Sequence, residues 1–87
     1  VNGGVQGGFV RSETRGEAKK RGGNGWVRNL PDGRVEAVFE GEEEPVRELV
    51  DFCKRGPMGA RVTTTHVVWE SYRGEFHDFV VKYGRGF

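Results

Sequence analysis

The stretch GGVQGGFVR, residues 3–11, places glycines at positions 3, 4, 7 and 8 and then closes on an arginine. Glycine lets consecutive backbone N–H groups converge without β-carbon clashes, and an arginine at the end of such a loop adds a planar fork of donors that suits a phosphate. Gln6, Gly7, Gly8, Phe9, Val10 and Arg11 are therefore a candidate anion cradle. Alone the signal is weak, since a glycine-rich turn after a strand is more often just a turn. The other reactive residue types point nowhere as strongly. His66 and His77 stand eleven positions apart on different expected strands and lack the ligands to make a metal site with Cys53, the one cysteine. No metal or other cofactor is expected.

A cradle works only if a strand delivers it and a helix follows it. Residues 45–55, PVRELVDFCKR, put Val46, Leu49, Val50 and Cys53 at i, i+3, i+4 and i+7, which gathers them on one helix face. Pro45 suits the first turn, and Gly56-Pro57 is expected to stop the helix. Cys53 lies on that apolar stripe and reads as buried filler, not as a nucleophile. An earlier helix is expected over 12–21, with Ser12 as N-cap and Gly22-Gly23 as terminator, although Ala18 is its only apolar residue and gives it almost no stripe with which to dock. GWVRN (25–29) and RVEAVFE (34–40) flank Leu30-Pro31-Asp32-Gly33 and predict a hairpin. In its second strand Val35, Ala37 and Phe39 should face a core, leaving Glu36 and Glu40 on the wet side. Further strands are expected over 62–71 and 76–83, and a short first strand over 1–5.

The resulting order, strand, helix, hairpin, helix and two final strands, predicts the ferredoxin-like βαββαβ fold. This is an α+β sandwich in which two helices cover one face of an antiparallel sheet. The chain, 87 residues long, is expected to be a single domain. Thirteen valines and six phenylalanines against two leucines and no isoleucine agree with a sheet-dominated interior. Fourteen Lys and Arg against thirteen Asp and Glu give a net charge of +1, which supplies no general pull on nucleic acid or on an acidic membrane. No stretch reads as a signal peptide or membrane span, so a monomeric cytoplasmic protein is the expectation. In this order the glycine stretch falls between the first strand and the first helix, where helix N-terminal amides favour an anion.

At this point the sequence resembles the acylphosphatases, small ferredoxin-like hydrolases of carboxyl-phosphate anhydrides. Their loop reads Gly-x-Val-Gln-Gly-Val-x-Phe-Arg, which Gly3, Val5, Gln6, Gly7 and Arg11 fit in register. Gly25, Trp26, Val27 and Asn29 match the family's Gly-Trp-Val-x-Asn at the right distance from that arginine. Asp32-Gly33-x-Val35-Glu36, Gly41, Gly56-Pro57-x-x-Ala60-x-Val62 and Gly74-Glu75-Phe76-x-Asp78-Phe79 look like family positions too. The resemblance implies that Arg11 and the loop amides hold the phosphate of a small acyl phosphate while Asn29 binds the attacking water. No covalent intermediate or metal is implied. Without the resemblance, Asn29 reads as a residue that initiates the following turn. Gly8-Phe9-Val10 stands where the family has Val-x-Phe, so Val10 is expected to take the buried place before the arginine. Two rival readings remain beside this one. One is a non-catalytic ferredoxin-like module that binds RNA or an anion; the other is an acylphosphatase-like domain of a larger carbamoyl-phosphate-handling protein.

Overall fold

The alternation through residues 35–40 becomes the central strand of a five-stranded sheet. In the computed structural model, which describes residues 1–55 and 66–83, the elements are β1 (Asn2–Gly7), α1 (Arg11–Arg21), β2 (Asn24–Asn29), β3 (Val35–Glu40), α2 (Glu43–Arg55), β4 (His66–Glu70) and β5 (Phe79–Lys82). The helix stop expected at Gly56-Pro57 and the first half of the 62–71 strand lie outside the described residues. Among those residues, no helix is long and apolar enough to cross a membrane. The strand order is β4-β1-β3-β2-β5. β1 runs antiparallel to β3 and β4, and β2 antiparallel to β3, but β5 joins β2 in parallel. The expected antiparallel sheet is therefore mixed. After β4, on one edge, the chain crosses the end of the sheet and enters the opposite edge in the direction of β2.

Register sorts the core into rows. Trp69, Gly3, Phe39, Gly25 and Phe79 follow one another across all five strands. With glycine between them, Phe39 and Phe79 lean together and stack with ring centroids 5.5 Å apart. Gly25 is required: its φ is +139°, and a β-carbon there would lie 1.9 Å from the Val38 carbonyl oxygen. Val67, Val5, Ala37, Val27 and Val81 form the next row, and Gly7, Val35 and Asn29 the third. All three rows face the helices.

α2 buries Val46, Leu49, Val50 and Cys53, the stripe that its spacing requires. α1 docks with Thr14 and Ala18, both fully buried, so two small residues replace a broad apolar stripe and let the helix lie close. Leu49 of α2 fills the space where a side chain at Gly23 would stand, its δ-carbon 2.7 Å from that position. Polar links finish the docking, Lys19 to Asp78 at 2.6 Å and Arg21 to Glu48 at 3.1 Å. Ser12 does not cap α1. The cap residue is Val10, whose carbonyl accepts both the backbone N–H of Thr14 at 3.0 Å and its hydroxyl at 2.7 Å.

Glu40 departs from the expected wet face: it is 1% exposed. The chain crossing from β4 to β5 closes over it, and its carboxylate accepts backbone N–H groups from Arg73 (3.1 Å), Gly74 (3.0 Å) and Phe76 (3.2 Å). Two neighbours in the same row assist. Asn2 donates to Glu40 at 3.5 Å, and Asn24 donates to the Phe76 carbonyl at 3.3 Å. Burial pushes the Glu40 carboxyl up, but the N–H groups outweigh it and hold the acid below its ordinary 4.5. Glu40→Gln should cost about 1–3 kcal/mol in urea denaturation at neutral pH, because buried donors lose an ionised acceptor. A depressed folded-state value means that this contribution is complete above about pH 4.5 and is lost as pH falls through the lower folded value. The gap between wild type and Glu40→Gln should therefore shrink on acidification below pH 4.5.

Candidate active site

β1 ends at Gly7, paired with Val35, and α1 begins at Arg11, so the loop between them is only Gly8, Phe9 and Val10. Most of the glycine stretch is thus strand. Gly3 is there for packing, since a β-carbon would lie 3.3 Å from Val46 and from Val50 on α2 and 3.0 Å from the Trp69 ring. No residue from Gly3 to Val10 has the positive φ that a left-handed nest would use. The donors are aligned by the helix start instead.

Phe9 continues the alternation of Val5 and Gly7, turns into the core and is 3% exposed, whereas Val10 is 41% exposed. The expectation for this pair is reversed: Phe9 is the anchor. Val10 keeps an extended backbone, φ −110° and ψ 130°, and Thr14 clamps its carbonyl from within the helix. Beneath it Cys53 is buried, which pushes its thiol up to about 12, so it stays protonated as inert filler. Between these anchors, the backbone N–H groups from Gly8 to Glu13 make no hydrogen bond among the described residues. They sit at the positive end of α1.

Arg11 opens the helix, and its guanidinium reaches across to the end of β5. It donates to the Lys82 carbonyl at 3.1 Å and lies 4.9 Å from the centre of the Tyr83 ring. Asn29 is the last residue of β2 and shares a row with Val35 and Gly7. Two strand spacings separate it from Gly7, about 10 Å, room for a phosphate and a water. Its side-chain amide makes no hydrogen bond among the described residues.

Phe9, Val10, Arg11 and Asn29 line one open cleft of about 770 Å³. Gly7 and Gly8 lead the chain towards it but are not among the residues that line it. Gln6 points to the other face of the sheet, where it donates to Glu36 at 3.0 Å beside the Arg28–Glu36 pair at 2.7 Å. The cleft also takes in Ser12, Arg15, Val35, Asp78, Val81 and Tyr83. Sequence reading missed these, although Arg15 lies one helical turn beyond Arg11 and Tyr83 continues the Phe79–Val81 alternation. At the cleft's far end the Lys19 ammonium, then the Phe79 N–H, hold the Asp78 carboxyl below its ordinary value. Amides at a helix start, a guanidinium and a carboxamide directed into one space can hold a tetrahedral oxyanion and orient a water against it.

Comparison with known proteins bears on the family and the fold. The family model for acylphosphatase matches residues 1–81. An acylphosphatase of Syntrophus aciditrophicus (strain SB) is 53% identical over 83 residues, covering 95% of this chain and 86% of that one. The crystal structure of acylphosphatase from Bacillus subtilis superposes with a TM-score of 0.84 at 30% identity, covering 94% of this chain and 98% of that one. Full-length HypF, in a phosphate- and nucleotide-bound form, shares the fold alone: TM-score 0.73 and 18% identity over 93% of this chain and 11% of its own.

The reversed pair is open to a direct check. Phe9→Ala should lower unfolding free energy by about 3–5 kcal/mol, and Val10→Ala should change it by no more than about 0.5 kcal/mol, both read by chemical denaturation.

Proposed function

The chain belongs to the acylphosphatase family, and on that premise we propose that it hydrolyses small acyl phosphates to a carboxylate and inorganic phosphate through Arg11 and Asn29. The observation that supports these roles is the meeting of Arg11, the unpaired amides at the start of α1 and the Asn29 carboxamide around one cleft. The amides and Arg11 bind the non-bridging phosphate oxygens and neutralise their charge. Asn29 accepts a hydrogen bond from a water and turns the oxygen lone pair of that water towards phosphorus.

Attack forms the new P–O bond as the bond to the acyl oxygen breaks, and the leaving carboxylate departs with the electron pair. Its conjugate acid is strong enough that no protein acid is needed to protonate it. The proton released by the water goes to phosphate or solvent. Such a reaction asks of the protein mainly positioning and charge stabilisation, which rigid backbone donors supply without reorganisation. Arg11 does not have to search for its place, because Lys82 at the end of β5 and Tyr83 just beyond it hold the guanidinium.

A larger carbamoyl-phosphate-handling protein is the less favoured setting. The Syntrophus relative, an acylphosphatase, is matched over 86% of its own length. Steady-state hydrolysis of benzoyl phosphate tests the residue roles. Arg11→Ala should lower kcat/KM by about two orders of magnitude, close to 3 kcal/mol, and weaken inhibition by inorganic phosphate. Asn29→Ala should remove most of kcat and leave phosphate inhibition nearly intact. Unchanged turnover in both variants would overturn the assignment.

A further inference from the structure

The cleft is much larger than a phosphate, and the cations around it are not equivalent. α1 carries five: Arg11, Arg15, Lys19, Lys20 and Arg21. Arg11 is held by Lys82 and Tyr83, Lys19 pairs with Asp78, Lys20 with Glu17, and Arg21 with Glu17 and Glu48. Arg15 differs from them: among the described residues it makes no hydrogen bond or close ion pair, although its charge acts at longer range on Asp78, and it lines the cleft. It stands four residues after Arg11, so the two side chains rise from neighbouring points on one helix face, about 6 Å apart at their β-carbons.

Across from Arg15 runs β5, an edge strand whose Val81, with Asp78 just before the strand and Tyr83 just after it, lines the same cleft. The Asp78 carboxylate would repel an anion in this groove, but Lys19 at 2.6 Å and the Phe79 N–H at 2.8 Å already engage one of its oxygens. The groove therefore leads from the phosphate end, along a partly apolar wall, to the Arg15 guanidinium, whose one nearby acid, Asp78, is bonded to Lys19.

We propose that Arg15 selects acyl phosphates whose acyl half carries a second anionic group, which it meets in the groove between α1 and β5 one helical turn beyond the phosphate. This rests on the hydrolytic reading above and adds the substrate class. Arg15 acts on binding of the acyl half and takes no part in bond breaking.

The test compares 4-carboxybenzoyl phosphate with the neutral isostere 4-carbamoylbenzoyl phosphate, in wild type, Arg15→Gln and Arg15→Lys at low ionic strength. Wild type should favour the carboxylate in kcat/KM about fivefold, the size given by one solvent-exposed charge contact. Arg15→Gln should bring the ratio to about one through KM of the charged substrate, and Arg15→Lys should keep part of it. The preference should fade as salt is raised. Equal use of both substrates by wild type, or a preference that survives Arg15→Gln, would overturn the inference and leave the hydrolytic reading standing. An equal loss on both substrates in Arg15→Gln would do the same, because it would mean general attraction of the phosphate. Failure of wild type to hydrolyse either compound would overturn both.

Discussion

The carboxylate of Glu40 determines where the last part of the chain can go. By accepting three backbone N–H groups from the segment after β4, it carries that segment across the sheet end to the opposite edge. Only then can β5 lie beside β2, stack Phe79 on Phe39 and bring Lys82 and Tyr83 beneath the Arg11 guanidinium. A charge buried at one end of the sheet thus helps to fix the orientation of a charge at the other. The connection between them is covalent and packed, running along a single short strand.

Small residues do much of the remaining work. Gly25 lets two phenylalanine rings meet above it, Gly3 admits α2, and Gly23 admits Leu49. Ala18 and Thr14 bring α1 close enough for Thr14 to clamp the Val10 carbonyl. A chain with few large aliphatic residues has therefore built its core by close approach of backbone to backbone, leaving the bulk to phenylalanine and valine.

Features governed by local periodicity were legible in the sequence. The α2 stripe from Val46 to Cys53, the hairpin around Asp32-Gly33 and the inward set Val35, Ala37 and Phe39 all follow from spacing alone. The site was legible in part: Arg11 and Asn29 do share a cleft. What escaped depends on partners distant in the chain. Nothing near Glu40 announces that residues 73–76 will cover it, and alternation alone sends it to solvent. The parallel entry of β5 follows from that same crossing. Phe9 was readable in principle, as the next member of Val5, Gly7, Phe9, but family order suggested the opposite. Ser12 lost the cap to Val10 because the helix takes in Arg11, and a backbone carbonyl held by Thr14 fixes the entry without any capping side chain.

Gly8 has a different kind of consequence. Its backbone is ordinary, and a β-carbon there would meet nothing within 4 Å, so the fold places no demand for glycine at this point. The residue acts through entropy: without a side chain, this position has more conformational freedom to lose when the chain folds. Gly8 is thus a point in the β1–α1 loop where the chain forgoes stability that a side chain could supply without a clash.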